Sequence, residues 1–195
     1  MPRNSLALLA CLTLLLAACG SAPPRGAGTG MAMGASSRHP GINCAPFARE
    51  LSGIALYGDA ADWWPAARGR YQRAAAPVLG AALVFTRSAR LPSGHVAVVS
   101  RIVGSRQIQV TQANWVPGQV DRDQLVIDVS ERNDWSEVRV WYPPTGQMGA
   151  SGYRTFGFIH PPRPASHEEL ARATDPAARF ALNTAGRPPP RARGG

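Results

Sequence analysis

From Pro46 onward the apolar residues Phe47, Leu51 and Ile54 recur at i, i+4 and i+7, the spacing that lines one face of a helix. Pro46 suits the first turn, where its missing N–H has no intrahelical partner to lose. Gly53 or Gly58 marks the stop. A second short helix is predicted over residues 59–68, "DAADWWPAAR", bent or broken at Pro65. The period then changes. Segments 81–85, 95–102, 106–112, 124–130 and 137–143 are short, rich in β-branched residues and separated by Gly, Pro, Asn and Asp, the pattern of antiparallel strands joined by turns. Residues 153–160 read as a last strand. Ser166 and Glu169 before Leu170 form a capping box that opens a C-terminal helix, interrupted by Asp175-Pro176. Helices followed by a run of strands predict an α+β domain, with N-terminal helices packed on an antiparallel sheet.

The ends of the chain carry different patterns. Residues 5–18, "SLALLACLTLLLAA", follow Arg3 and are almost wholly apolar. A run of roughly 14 residues falls short of the roughly 20 that span a bilayer, so residues 1–18 read as a signal peptide and the protein as exported. Leu16-Ala17-Ala18-Cys19 resembles a bacterial lipobox, which implies cleavage before Cys19 and lipidation of its thiol; Gly20 after it implies an outer-membrane destination facing the periplasm in a Gram-negative cell. Residues 19–41, rich in Gly, Ala, Ser and Pro, then form a lipid-anchored flexible tether. Residues 42–162 form the domain. Residues 163–195 hold the C-terminal helix and a basic tail, "RPPPRARGG", expected to be disordered.

This division simplifies the cysteines. Of three, Cys11 leaves with the signal and Cys19 becomes a thioether. Cys44 stands alone, so no internal disulfide framework exists. The net charge is +9, and every basic residue is arginine. Export argues against nucleic acid as the partner and favours anionic envelope material. Neither H-e-x-x-H nor paired C-x-x-C occurs, so no metal or other cofactor is expected. A phosphate-cradling loop would want a lysine, and the chain has none. Trp63, Trp64 and Trp115 read as core residues or as sugar-stacking surfaces.

Cys44 lies at or just before the start of the first helix, where free N–H groups and the macrodipole favour a thiolate and can hold an oxyanion. A thiol nucleophile needs a base within reach. His39, His160 and His167 fall in loops or a cap, whereas His95 opens the apolar run "VAVV" after the turn "PSG". A hairpin through Gly104 brings Gln112 and Asn114 back beside His95 on one face. Asn114 is the candidate to accept from the ring and fix its tautomer.

The ordered set "INCAPFAREL", "GDAADWW", "PVLGAALVF", "SGHVAVVS" and "QANW" resembles the CHAP domain, the cysteine- and histidine-dependent amidohydrolases and peptidases. The resemblance covers roughly residues 42–142. It implies a papain-like fold, Cys44 as nucleophile, His95 as general base, Asn114 as polar orienter and peptidoglycan as the substrate, cut at an amide bond by an amidase or wall-peptide endopeptidase. Many relatives carry Glu where this chain has Gln112, which leaves Gln112 as a possible third member or polar support without a charge. The alternative reading is a non-catalytic lipoprotein that binds wall material and keeps the fold as a scaffold.

Overall fold

The computed structural model describes residues 36–38 and 41–174. The apolar leader, Cys19, the tether up to residue 35, His39 and the basic tail lie outside the described residues. None of the described helices is long and apolar enough to cross a membrane.

Helix α1 (Cys44–Ser52) begins on the cysteine itself, so Pro46 occupies its third position. It ends at Gly53, whose φ of 71° is easy for glycine and whose N–H returns to the Arg49 carbonyl at 3.0 Å. Segment 59–68 is not one helix. A turn of 3-10 helix at Ala60–Asp62 runs into α2 (Trp63–Ala66). Pro65 is tolerated because α2 is short enough for it to fall in the first turn.

The strands are β1 (Ser36–Arg38), β2 (Arg73–Ala74), β3 (Ala82–Phe85), β4 (His95–Gly104), β5 (Gln107–Ala113), β6 (Gln119–Asp128), β7 (Glu137–Tyr142), β8 (Gln147–Met148) and β9 (Tyr153–Ile159). All pair antiparallel, in the order β6-β5-β4-β3-β9-β7. A further pairing, Val126↔Val140 to Asp128↔Val138, joins β7 back to β6. Six strands therefore close into a barrel. The protein is mostly antiparallel β with three short helices among the described residues, where the sequence predicts N-terminal helices packed on an antiparallel sheet. Residues 36–38, expected to be tether, pair with β6 outside the ring, Ser36 opposite Asp121.

Alternation along the strands sorts the core. Leu83, Phe85, Ala97, Val99, Ile108, Val110, Val126, Val138, Val140 and Phe158 come from all six ring strands and form one buried cluster, the barrel interior. Their neighbours Ala82, Val84, Val96, Val98, Ala113 and Val120 form a second cluster with Ala45, Phe47, Ala48 and Leu51 of α1. Even-numbered residues at the start of β4 thus meet the helix, and odd-numbered ones, beginning with His95, face the barrel interior. The final helix, α3 (His167–Thr174), opens with reciprocal bonds between Ser166 and Glu169 of 2.9 and 3.1 Å, as the capping box requires.

The turn into β4 is braced from outside. The Ala61 N–H donates to the Ser93 carbonyl at 3.0 Å. Gly94 has φ 72°, and a Cβ there would lie 2.6 Å from the Ala61 Cβ and 2.8 Å from the Phe85 carbonyl oxygen. Gly94→Ala is therefore expected to destabilise the protein by roughly 2–4 kcal/mol, combining left-handed strain with overpacking. Urea denaturation of the two proteins measures it; a change within 0.5 kcal/mol, the ordinary range for a surface substitution, would show that the turn yields freely.

Candidate active site

Cys44 is the first residue of α1 and half-buried. Its N-cap, Asn43, makes no side-chain hydrogen bond to the helix, and no acidic residue occupies the first turn. No capping side chain therefore takes up the N–H groups there. The thiol nonetheless does not lie below the ordinary thiol range, as helix position alone predicted. Burial pushes it up. Hydrogen bonding from the backbone at Val96, Ala45 and Cys44 itself pulls it down, and the charge of Asp59 pushes it up again. The net direction is upward, because desolvation of a thiolate outweighs the helix-end dipoles. Arg87 limits the Asp59 contribution by binding Asp59 at 3.0 Å and both oxygens of Asp62 at 2.8 and 2.9 Å.

Cys44 packs against the helix-side cluster that holds Val96, the residue that follows His95. His95 is the first residue of β4 and is 3% exposed. Its ring meets Phe85 edge-on at 5.5 Å and Trp115 at 5.0 Å, and Tyr153 packs on Trp115 at 4.9 Å. Burial in this aromatic surround pushes the imidazole down to about 4, and only the hydrogen bond with Gln112 acts upward. Near neutral pH the pair is a neutral thiol and a neutral imidazole. Among the described residues no hydrogen bond joins them; such pairs are often long until substrate is bound.

The ring's partner is Gln112, with Nε2 and Oε1 3.0 Å apart and both side chains buried. With the amide oxygen turned to the ring, Nε2 carries the proton and Nδ1 is left as the basic nitrogen. Asn114, the expected orienter, is placed elsewhere. It is exposed, has φ 62°, and its Oδ1 accepts from the Gly118 N–H at 2.9 Å. It terminates β5 as a turn residue, a role asparagine fills because its side chain bonds nearby backbone and tolerates the left-handed region. The segment that follows it, "WVPGQ", carried that signal. The other described histidines serve structure: His160 Nε2 bonds the Ala76 carbonyl at 3.0 Å and His167 Nδ1 the Ser100 carbonyl at 3.1 Å. Trp63 is fully buried in the helix-side core, while Trp64 stacks on Phe156 at 5.9 Å under the Arg73 guanidinium.

Sequence reasoning passed over Phe85, which walls the imidazole with Trp115, Tyr153, which packs on both of those rings, and Asp121, a carboxylate with 0% exposure on β6. Burial pushes Asp121 up, against hydrogen bonds from Ser36 and from the backbone at Val116. Its signal was faint, since an acidic residue in "QVDRDQ" reads as solvent-facing.

In comparison with known protein families, the CHAP domain model matches residues 34–114. That span runs from just before β1 to the turn after β5 and contains Cys44, His95, Gln112 and Asn114. No curated protein matches the chain.

Two titrations test the electrostatics. Alkylation of Cys44 by iodoacetamide is expected to rise with an inflection above that of an ordinary free thiol; an inflection near neutrality would show that the helix end prevails over burial. For His95, the folded value of about 4 lies below the ordinary 6.5. The unfolded chain therefore binds the proton first as pH falls. Stability present above pH 6.5 is lost progressively down to about pH 4, by roughly 3 kcal/mol. Asp121 has the opposite sign, so the difference between wild type and His95→Gln isolates the histidine. Denaturation midpoints at pH 7 and 4.5 should show the smaller acid loss in His95→Gln; equal losses would place the ring in solvent.

Proposed function

We propose, from the CHAP domain carried over residues 34–114, that this chain hydrolyses peptidoglycan at an amide bond, as an amidase between sugar and peptide or as an endopeptidase within the wall peptide. The observation that supports this most is one arrangement within that domain. A thiol at a helix start packs against the cluster that holds Val96, and the adjacent His95 has its Nε2 proton taken up by Gln112.

In this reading Cys44 Sγ attacks the amide carbon as its proton passes to His95 Nδ1. The thiol is neutral at rest, so the base acts during the attack rather than before it. The N–H groups of Cys44 and Ala45 stabilise the oxyanion; Pro46 has none to give. The carbon–nitrogen bond then breaks, the imidazolium returns the proton to the leaving amine, and a thioester remains. Water, deprotonated by the same imidazole, attacks the thioester and releases a carboxylate and the free thiol. Gln112 holds the ring throughout. It takes the place expected of Asn114, whose side chain is engaged in the turn to Gly118.

The reading extends to location. Processing before Cys19 and lipidation of its thiol anchor the domain in the cell envelope, on the periplasmic side of the outer membrane in a Gram-negative cell, with wall material as partner. The rival reading, a scaffold that binds wall without cutting it, is favoured by the upward shift of the Cys44 thiol.

Incubation of purified wall fragments with wild type and Cys44→Ala, followed by mass spectrometry, decides between them. One class of amide should be cut by wild type and its cleavage slowed at least about a thousandfold in the variant. Identical product sets from both proteins would sink the hydrolase reading.

A further inference from the structure

Gln112 raises a question of its own. Its amide is buried, and while Oε1 faces His95, Nε2 has no hydrogen-bond partner among the described residues. A buried primary amide left half-satisfied costs stability and leaves the choice between its two orientations open. That choice matters here. Turned over, the amide would donate to the ring, move the ring proton to Nδ1 and remove the basic nitrogen from the sulfur's side.

The strand register places a complementary group alongside. Gln112 on β5 is the Cα partner of Asp121 on β6. Residues directly opposite in an antiparallel pair project to the same face, with Cβ atoms about 5 Å apart. Ala113 and Val120, the next pair, both belong to the helix-side cluster, so Gln112 and Asp121 share the barrel-interior face. Asp121 is fully buried; its carboxyl is hydrogen-bonded by the Val116 backbone and by Ser36, whose Oγ donates to Oδ1 at 2.5 Å, and Oδ2 has no close partner among the described residues. An unpartnered donor and an unpartnered acceptor thus project from opposed positions on neighbouring strands, with no hydrogen bond between them in this structure. Gln112 lies on the strand between them, His95 on one flank and Asp121 on the other.

We propose that Asp121 is a positioning residue for the catalytic imidazole. It accepts a hydrogen bond from Gln112 Nε2, which locks the amide with Oε1 toward His95 and keeps the ring proton on Nε2. Ser36 on β1 holds the second carboxylate oxygen, completing a chain from Ser36 through Asp121 and Gln112 to His95. A carboxylate in this chain acts at one remove, through the neutral amide, in place of a glutamate at position 112. The catalytic label on His95 rests on the function proposed above; the hydrogen-bond chain does not.

The test reads the ring directly. The full chain, labelled with ¹⁵N-histidine, is compared as wild type and Asp121→Leu by NMR at pH 7. Wild type should show His95 almost wholly as the Nε2–H tautomer, and folded Asp121→Leu a mixture with at least about threefold less of it relative to Nδ1–H. The double variant Gln112→Glu/Asp121→Leu should restore the Nε2–H form, since a carboxylate at 112 can only accept, whereas a merely structural defect would persist. An unchanged tautomer in folded Asp121→Leu, or no restoration in the double variant, overturns the proposal. If Asp121→Leu does not fold, a crystal structure of wild type decides: Nε2 and Oδ2 within about 3.2 Å supports the chain, and a wider separation overturns it. Neither readout depends on wall cleavage. A chain inactive on wall yet showing the expected tautomers refutes the hydrolase reading and leaves this one standing.

Discussion

The contact between His95 and Gln112 is 3.0 Å long, and both side chains are buried. In such a place an imidazole is held neutral by its surroundings, and a single neutral acceptor is enough to decide which nitrogen carries the proton. Most of the architecture around it follows from keeping that place dry. Phe85 and Trp115 present ring edges to the imidazole, and the closed barrel supplies the apolar floor beneath. A carboxylate directly on the ring would add a full charge favouring its protonated form. An amide does not.

Barrel closure is what allows one strand to serve both flanks. β5 sits between β4 and β6, so a residue on its inner face touches neighbours on either side. The opposite faces of β3 and β4 are committed to α1 through Val84, Val96 and Val98. The sulfur therefore approaches the rim of the sheet from the helix side, where Val96 packs, while the ring belongs to the interior side. The two chemistries meet only where β4 begins, and the Gly94 turn, pressed between Ala61 and Phe85, sets that point.

Much of this was written locally in the sequence. The β-branched runs located β3, β4, β5, β7 and β9 nearly to the residue. Ser166 and Glu169 announced their helix because a capping box is a local contact, and Cys44 at a helix start followed from Pro46 and the apolar spacing. What escaped was set by distant partners. The pairing of β9 with β3, Ala82 opposite Ile159, joins residues far apart in sequence, and neither it nor the return of β7 to β6 leaves a periodic trace. β6 was expected to start at 124 and starts at Gln119, because its inward position is filled by Asp121, a residue type that ordinarily faces solvent. Asn114 was assigned to the ring on strand alternation, but alternation ends at the turn that asparagine itself makes. The direction of the thiol's shift was missed for a related reason: a helix terminus is visible in sequence, the depth of burial is not.

A sulfur that rests as SH has a different exposure to oxidants from one that rests as S⁻. Disulfide exchange and the first step to sulfenic acid both proceed through the thiolate. Half-buried and held protonated by its surroundings, Cys44 offers passing oxidants little of the reactive form, and among the described residues it has no second cysteine with which to close a bridge. The depth that makes this thiol a reluctant acid also withholds its reactivity from oxidants until a group able to accept its proton is brought to it.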